Sequence, residues 1–335
     1  MLLARFPRQH FAHLPTPLEP MERLTALLGG PKLYVKRDDC TGLATGGNKT
    51  RKLEFLIADA LAQNADTVVT QGATQSNHVR QTAAAAARFG LNCEVLLERR
   101  VTTQGDNYEM TGNVLLDDLF GAHREFRAAG VDMNLEAKKH AESVRDRGGK
   151  PYVIPGGGSN RIGALGYVDC AMELITQANQ RDLQIDWVVH ATGSTGTQAG
   201  LVAGLEAMHS GLKVYGISVS AEKSKQEEAV FTLAQEVADS IGMRGGIDRS
   251  RVIADSDYVG PGYAQPTEAM IEAVMLTART EGILLDPVYS GKAMAGLNGL
   301  VKSGFFRPDE TVVFLHTGGS ASLFAYQTLF VRSSE

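Results

Sequence analysis

The sequence has little of what marks secreted, membrane or nucleic-acid-binding proteins. Its three cysteines lie far apart and form no Cys-x-x-Cys pair, so neither a disulfide framework nor a zinc site is expected. No apolar run approaches the ~20 residues that span a bilayer, and the first residues lack the apolar stretch of a signal peptide. The net charge of −5 offers no cationic surface to nucleic acid or anionic lipid. We therefore expect a cytoplasmic protein with no metal, no nucleic acid and no membrane among its partners.

Apolar residues and glycine are plentiful. The 335 residues exceed the usual size of one domain, and 43% of them are apolar, so the chain can bury a full core. The 36 glycines exceed the roughly 7% of ordinary usage and cluster in loops between apolar segments. Such loops let the backbone approach a ligand closely, although glycines at ordinary turns would give the same composition.

Short β-branched runs alternate with longer helical patterns from residue 33 onward. Strands are predicted at 33–37, 67–71, 93–97, 152–155, 186–190, 213–219 and 311–316. Helices are predicted at 49–63, 77–89, 111–120, 134–147, 163–179, 197–209, 223–241, 266–280, 291–303 and 319–327. This alternation predicts an α/β fold with mostly parallel sheets covered by helices. Ligands of such sheets bind at the carboxyl ends of the strands, where glycine-rich loops lead into helices.

The loop after the predicted strand 186–190 has the features of a phosphate cradle. It contains Gly193, Ser194, Thr195, Gly196 and Thr197 and leads into a helix. Free backbone N–H groups and the positive end of the helix dipole would face an anion there. A tight turn capped by a hydroxyl has the same spacing, so the loop alone leaves both interpretations open.

Two common phosphate ligands fit the glycine-rich loops poorly. A dinucleotide site needs Gly-x-Gly-x-x-Gly and an acid after the next strand. The glycines at 193, 196 and 200 have another spacing, and the next strand ends in serines. A nucleoside-triphosphate loop needs a lysine directly after its last glycine, whereas Asn48 separates Gly47 from Lys49. A dehydrogenase and an ATP-binding protein are therefore disfavoured.

Lys49 closes a polar glycine turn, Gly46-Gly47-Asn48-Lys49, at the predicted start of a helix. The positive end of the helix dipole would lower the pKa of its ammonium group. A lysine that is neutral near physiological pH can form a Schiff base with an aldehyde. Because most lysines are solvated surface groups, this interpretation depends on the neighbouring motifs.

Five motifs in a fixed order give the sequence a family resemblance. They are Gly-Gly-Asn-Lys-Thr-Arg-Lys at 46–52, Gln-Ser-Asn-His-Val-Arg-Gln at 75–81, Gly-Ala-Leu-Gly-Tyr at 163–167, Asp-Pro-Val-Tyr-Ser-Gly-Lys at 286–292 and His-Thr-Gly-Gly at 316–319. In these motifs the chain resembles the fold-type-II pyridoxal phosphate (PLP) enzymes. The group includes D-cysteine desulfhydrase, L-cysteate sulfo-lyase and 1-aminocyclopropane-1-carboxylate (ACC) deaminase. The resemblance covers nearly the whole chain and is strongest to L-cysteate sulfo-lyase.

The resemblance implies a fold like that of the tryptophan synthase β subunit. Two open parallel-sheet α/β domains would hold the site between them. Residues 1–49 and 163–335 would form the large PLP-binding domain, and residues 50–162 the smaller one. The family also implies a homodimer that acts on a small amino acid.

The resemblance also implies site residues, position by position. Lys49 would be the Schiff-base lysine and would take up the Cα proton of the substrate, with Ser76 and Tyr289 as further catalytic residues. Besides Lys49, the predicted PLP contacts are Lys52, Asn77, Gly193, Ser194, Thr195, Gly196, Thr197 and Thr317. The predicted substrate contacts are Thr45, Ser76, Asn77, His78, Tyr263 and Tyr289. Taken singly, each tyrosine would be an ordinary half-buried aromatic residue.

Two positions separate the sequence from the ACC deaminases. Those enzymes have a glutamate after the tyrosine of Asp-Pro-Val-Tyr and a leucine before the last Gly-Gly, where this chain has Ser290 and Thr317. A carboxylate beside the pyridine nitrogen of PLP would keep it protonated and make the ring a strong electron sink. A hydroxyl offers only a neutral hydrogen bond. We therefore expect β-elimination of a good leaving group, and ACC deamination fits less well.

The predicted leaving group is sulfite from L-cysteate, with sulfide from D-cysteine as the alternative. Segments 42–47, 71–74 and 155–160 look more like the sulfo-lyases, and the desulfhydrases have a methionine at the position of Thr45. A sulfonate needs hydrogen-bond donors for three oxygens, whereas a thiol needs a weakly polar niche. Thr45, Thr74 and Ser159 could supply those donors, although each could equally cap a turn.

A different class of function is a non-catalytic binding or regulatory protein on a retained PLP fold. That hypothesis predicts loss of the lysine or of the phosphate loop. The sequence keeps both, so we expect an enzyme.

Overall fold

Two parallel sheets organise the chain. The computed structural model describes residues 3–101 and 106–331. Its strands are β1 (Leu18–Pro20), β2 (Lys32–Arg37), β3 (Thr67–Ala73), β4 (Asn92–Glu98), β5 (His123–Arg127), β6 (Pro151–Val153), β7 (Trp187–Thr192), β8 (Lys213–Ser218), β9 (Ile253–Asp255) and β10 (Thr311–His316). Its α-helices are α1 (Glu22–Leu28), α2 (Lys49–Ala62), α3 (Asn77–Arg88), α4 (Asn113–Leu119), α5 (Met133–Asp146), α6 (Arg161–Asn179), α7 (Gly196–Ala207), α8 (Lys223–Ser240), α9 (Glu268–Glu281) and α10 (Ser290–Lys302).

The larger sheet has the strand order β1-β2-β10-β7-β8-β9, and the smaller has the order β5-β4-β3-β6. The β1 strand pairs antiparallel with β2, while the other neighbouring pairs are parallel. Parallel neighbours point their carboxyl ends to the same edge of each sheet. The predicted α/β class with two parallel sheets is therefore confirmed.

Helices bury both faces of the larger sheet. Val188 and Val313 pack with α6, α7 and α8, whereas their chain neighbours Val189 and Phe314 pack with α1, α9 and α10. Successive strand side chains point to opposite faces, so a sheet covered on both sides needs the continuous apolar runs that the sequence has. The smaller sheet packs on α2 and α3 on one face and on α5 on the other.

Four elements escape the sequence pattern, for reasons of length and burial. Strands β1 and β9 have three residues each, too few to show an alternation. Strand β5 is an edge strand rich in charged residues, and α1 has only seven residues. The segment predicted as a helix at 319–327 is a 3₁₀ helix, Ser320–Leu329. Within the described ranges, the helices are too short or too polar to cross a membrane.

The sheets use different parts of the chain. The smaller sheet takes its strands from residues between 67 and 153, and the larger sheet takes its strands from both sides of that stretch. This division resembles the predicted domains, 1–49 with 163–335 and 50–162. The domain boundaries themselves stay a prediction, because α2 and α6 pack closely against each other across them.

A buried charge cluster fastens the start of α2 to the larger sheet. Arg51 is fully buried and donates hydrogen bonds to both carboxylate oxygens of Asp38 at 2.9 Å and to those of Glu173 at 2.8 and 3.0 Å. Asp38 follows β2 and Glu173 lies on α6, so one guanidinium joins three elements. Asp38 also accepts a hydrogen bond from the Tyr167 hydroxyl at 2.6 Å. Charges buried in this way need such partners to be tolerated.

Arg51→Met should destabilise the fold strongly, because it leaves the fully buried Asp38 without its ion-pair partner and leaves Glu173 paired with Lys36 alone. We expect the free energy of unfolding to fall by about 3–5 kcal/mol, measured by chemical denaturation. Adding Asp38→Asn should restore part of the loss, since it removes one unpaired charge. Arg249→Met, which breaks an exposed ion pair with Glu228, is the control and should leave the midpoint unchanged. Equal losses for both arginine variants would contradict the assignment.

Candidate active site

A cavity of about 390 Å³ lies between the carboxyl ends of the two sheets. Its wall includes the ends of β3 and β7 and the loops that follow β4, β6, β8 and β10. The predicted site residues that line it are Lys49, Ser76, Asn77, His78, Gly193, Ser194, Thr195, Thr197, Tyr263, Tyr289 and Thr317. The fold therefore brings most of the predicted site together.

Lys49 is the first residue of α2, and its side chain has an unusual protonation equilibrium. Burial lowers the pKa of its ammonium to about 8, against the attraction of Asp286, which raises it. The sequence predicts this lowering from the helix dipole, whereas burial is the main cause in the structure. A pKa near 8 leaves an appreciable fraction of neutral, nucleophilic amine at physiological pH.

The predicted phosphate loop forms the turn from β7 into α7. The Gly196 N–H donates to Ser159 Oγ at 3.1 Å, and Lys52 Nζ donates to the same oxygen at 3.2 Å and to the Gly157 carbonyl at 3.1 Å. A Cβ atom at Gly196 would lie 2.8 Å from Ser159 Oγ and 3.0 Å from Lys52 Nζ, so a larger residue would crowd both. A helix N-terminus beside a lysine ammonium suits a phosphate group.

The N-terminus of α3 places three further predicted residues, Ser76, Asn77 and His78, on the cavity wall. Ser76 caps this helix, and its Oγ accepts a hydrogen bond from the Val79 N–H at 3.2 Å. Its hydroxyl hydrogen donates to no other group in the described residues, so it can serve a ligand. Because α3 spans twelve residues, the positive end of its dipole suits a carboxylate.

His78 is held as a neutral imidazole. Its Nε2 lies 2.8 Å from Thr70 Oγ1, and the Thr70 hydroxyl donates its own proton to the Ile154 carbonyl at 2.8 Å. Nε2 must therefore carry the hydrogen and donate to Thr70. Burial and, to a smaller extent, the charge of Lys49 hold the pKa of His78 well below its usual range.

Tyr263 and Tyr289 form a hydroxyl pair on the cavity wall. Their oxygens are 2.6 Å apart, and their rings meet edge to face with centroids 5.9 Å apart. Burial raises the pKa of both hydroxyls, so each keeps its proton near neutral pH. One hydroxyl donates to the other, which leaves the second proton free for a group in the cavity. Asp286 fixes the backbone of Tyr289 by accepting its N–H at 2.9 Å.

Ser290 and Thr317, the two positions that differ from ACC deaminases, have different surroundings. Ser290 Oγ donates to Asp286 Oδ1 and accepts the Asp286 N–H, both at 2.7 Å. Ser290 is buried and lies outside the cavity wall, whereas Thr317 lines it. Of these two hydroxyls, Thr317 is the one available to a ligand.

Four predicted residues do not line the cavity. Thr45 is exposed, because a turn closed by the Gly46 N–H to the Leu43 carbonyl at 2.8 Å directs this segment outward. Thr74 donates to the Glu98 carbonyl at 3.3 Å and is buried behind the wall. The expectation that these two threonines contact the substrate is therefore corrected. Gly196 and Lys52 also lie behind the wall, which Lys52 approaches through its hydrogen bond to Ser159.

The wall also carries polar side chains that are absent from the sequence-based prediction, among them Gln71, Arg100 and Asn134. Gln71 Nε2 donates to Asn134 Oδ1 at 3.1 Å. The Arg100 guanidinium pairs with Glu98 and lies 5.2 Å from the centroid of the Tyr263 ring. Gln71 and Arg100 lie near the carboxyl ends of β3 and β4, which is a usable signal. Asn134 lies on α5, and nothing in its sequence context marks it.

Comparison with known proteins identifies the family. The sequence pattern of the family described as "Pyridoxal-phosphate dependent enzyme" matches residues 10–318. The chain belongs to the pyridoxal-phosphate-dependent enzymes. The D-cysteine desulfhydrases of Salmonella typhimurium (strain LT2) and Salmonella typhi are 47% and 46% identical to it over 324 residues, 97% of this chain and of each relative. The solved structure of an ACC deaminase homologue superposes with a TM-score of 0.88 at 36% identity, over 98% of this chain and 96% of that one.

These findings confirm the predicted family, the fold class and PLP as the cofactor of this enzyme. The cavity offers what PLP requires, since it combines a partly neutral lysine amine with a helix N-terminus suited to phosphate. In the described parts of the chain, no group of three or more His, Cys, Asp or Glu side chains could hold a metal ion.

The attachment of PLP should depend on pH through the neutral form of Lys49. Protein stripped of PLP and mixed with it again should react faster as pH rises through about 8, and the rate should then level off. The sign follows from the chemistry, because the ammonium that predominates below the pKa is not nucleophilic. Asp286→Asn should move the inflection to lower pH. Rapid-mixing absorbance measures the rate, and a rate that climbs to the ordinary lysine pKa of about 10.4 would contradict the account.

Proposed function

We propose that this enzyme is a carbon–sulfur lyase that converts D-cysteine and water to pyruvate, ammonia and sulfide. The main support is the identity of 47% with a D-cysteine desulfhydrase over 97% of both chains. That identity reverses the order of the two leaving groups predicted from the sequence. The observation in the cavity that supports elimination is Lys49, whose pKa of about 8 suits an amine that gives up and takes up protons.

The charges around the cavity support one arrangement of PLP. Lys49 would hold its aldehyde carbon, and the turn 193–197 with Lys52 would hold its phosphate at the N-terminus of α7. Asn77 would donate a hydrogen bond to the ring hydroxyl oxygen. Thr317 would face the ring nitrogen, since its hydroxyl lines the cavity and that of Ser290 is bound to Asp286.

The neighbouring residues would divide the work of elimination. Bound PLP supplies an electron sink next to the substrate Cα. Ser76 and the N-terminus of α3 would hold the substrate carboxylate, and Lys49 Nζ would accept the Cα proton. The Tyr263–Tyr289 pair keeps one hydroxyl proton that is free to hydrogen-bond the departing sulfur.

Among the described residues, no Asp or Glu side chain lines the cavity, which favours β-elimination over ACC deamination. Thr317 is neutral, and Asp286 is saturated by the N–H groups of Val288, Tyr289 and Ser290 and by the Ser290 hydroxyl, at 2.7–3.0 Å. Thr317 would stabilise a charged ring nitrogen only weakly, which would favour expulsion of a leaving group as Lys49 accepts the Cα proton.

L-cysteate remains the second candidate because of Arg100. A sulfonate carries its charge on three oxygens, and a guanidinium on the cavity wall can donate two parallel hydrogen bonds to them. Arg100 lies beside Tyr263, on the wall where the leaving group would depart, and the amides of Gln71 and Asn134 add further donors. A thiol would use none of these groups.

Parallel assays with the two substrates test the proposal. D-cysteine should yield sulfide and pyruvate in equal amounts, and its kcat/KM should exceed that of L-cysteate, which would yield sulfite. Lys49→Ala should abolish both reactions because it removes the base, whereas the exposed Lys225→Ala should leave them unchanged. Sulfite from L-cysteate with no sulfide from D-cysteine would overturn the proposal in favour of the second candidate.

Arg100→Met separates the two substrates further. We expect turnover of L-cysteate to fall by at least about tenfold, because the lost hydrogen bonds are made to a charged group. Turnover of D-cysteine should change little. If both fell equally, Arg100 would serve the fold or a common step and would not discriminate between leaving groups.

The homodimer stays a prediction of the family resemblance, and the cytoplasmic location stays a prediction from the sequence composition. Sedimentation of the purified protein tests the first, since a single species with the mass of one chain would refute it.

A further inference from the structure

Arg80 is a buried cation directly behind the cofactor side of the cavity. Its side chain is fully buried on α3, and it donates to Asn77 Oδ1 at 3.1 Å, Asn113 Oδ1 at 2.8 Å and the Gly46 carbonyl at 2.7 Å. These acceptors are all neutral, and no carboxylate of the described residues pairs with it. The carboxylate of Asp117, which is buried nearby, makes no hydrogen bond in the described structure, and burial raises its pKa well above the usual range.

The contacts of Arg80 determine how the Asn77 amide is turned. Asn77 Oδ1 accepts hydrogen bonds from both Arg80 and Asn113 Nδ2, the latter at 2.9 Å. Asn113 is itself held by Gln75, whose backbone carbonyl accepts from the same Nδ2 at 3.1 Å. With two donors on its oxygen, the Asn77 amide must keep Nδ2 on its other side. Nδ2 makes no hydrogen bond to a described residue, and Asn77 lines the cavity.

The same guanidinium connects Asn77 to the turn that carries Lys49. Its Nη2 donates a hydrogen bond to the carbonyl of Gly46, three residues before Lys49. Gln81, one residue further along α3, accepts the Thr50 N–H at 3.0 Å, and a Cβ at Gly47 would lie 2.7 Å from its Nε2. The start of α3 and the lysine turn therefore pack as one unit, with Arg80 at its centre.

We propose that Arg80 is a positioning residue that turns the Asn77 amide toward the cavity and places a positive charge behind it, for an anionic oxygen of bound PLP. The amide transmits that charge, since Arg80 polarises its carbonyl and so strengthens the Nδ2–H donor. Burial lowers the pKa of Arg80 only to about 10, so the guanidinium stays charged at neutral pH. The inference rests on the proposed contact between Asn77 and the ring oxygen and is independent of the leaving group.

The affinity for PLP and the absorbance of the bound cofactor test this role without any assay of turnover. Arg80→Met should weaken PLP binding to the stripped protein by about tenfold, the effect of losing a charge-assisted hydrogen bond. It should also raise the pH at which the absorbance of the bound cofactor changes, because the anionic oxygen loses a cation. Arg80→Lys keeps the charge but not the three contacts and should give smaller shifts in the same direction.

A double-mutant cycle of Arg80 with Asn77 shows whether Arg80 positions Asn77 or only stabilises the fold. In an Asn77→Ala background, Arg80→Met should change PLP affinity by less than about twofold, because its effect acts through the missing amide. Thr82→Val, a buried change on the same helix, is the stability control and should leave absorbance and affinity unchanged. If Arg80→Met fails to fold, Asn113→Ala, which removes the other donor to the same oxygen, enters the same cycle.

Two results would overturn the inference, and each refutes a different part of it. An equal loss of affinity with and without Asn77 would mean that Arg80 acts only on the fold. An unchanged affinity and absorbance in Asn77→Ala alone would remove the proposed contact between Asn77 and PLP. In that case the lyase proposal would still stand on its own substrate assays.

Discussion

The site depends on where α2 begins, and the buried pairing of Arg51 with Asp38 and Glu173 fixes that point. Arg51 follows Lys49 by two residues, so the ion pairs that hold its guanidinium also hold the lysine at the edge of the larger sheet. Burying a lysine amine costs free energy. Holding Lys49 in place therefore needs an interaction stronger than apolar packing, such as a buried ion pair. The cluster supplies that constraint at a distance from the reacting atoms.

Several positively charged groups lie near the start of α2, and few carboxylates lie beside them. Lys52 and Arg80 are fully buried, Lys49 lines the cavity, and the N-termini of α3 and α7 point at the same cavity. Burial lowers the pKa of Lys52, and the neighbouring Lys49 lowers it further. A phosphate and a substrate carboxylate would offset the repulsion among these positive groups, and that repulsion would therefore contribute to the affinity for both ligands. A PLP enzyme that binds small amino acids needs this arrangement.

Much of the fold and the centre of the site follow from the sequence because they rest on local patterns. Apolar runs predict the long strands, and glycines before a predicted helix indicate the turns at 46–49 and 193–197. What the sequence does not predict depends on contacts between distant segments. Asn134 reaches the cavity only because α5 packs against the smaller sheet. Thr45 has the right neighbours in sequence, yet its turn points it to solvent.

Lys49 is the lysine to which PLP should be attached, and Lys292 is the residue from which it must be distinguished. Burial lowers the pKa of Lys292 to about 8 as well, but its Nζ donates to the carbonyls of Val259 and Gly262 at 2.6 and 2.9 Å, outside the cavity. Treatment of the PLP-loaded protein with borohydride fixes the cofactor to its lysine, and mass spectrometry of the tryptic peptides then locates it. We predict a single modified site at Lys49. Modification at Lys52 or Lys292, with Lys49 unmodified, would contradict it.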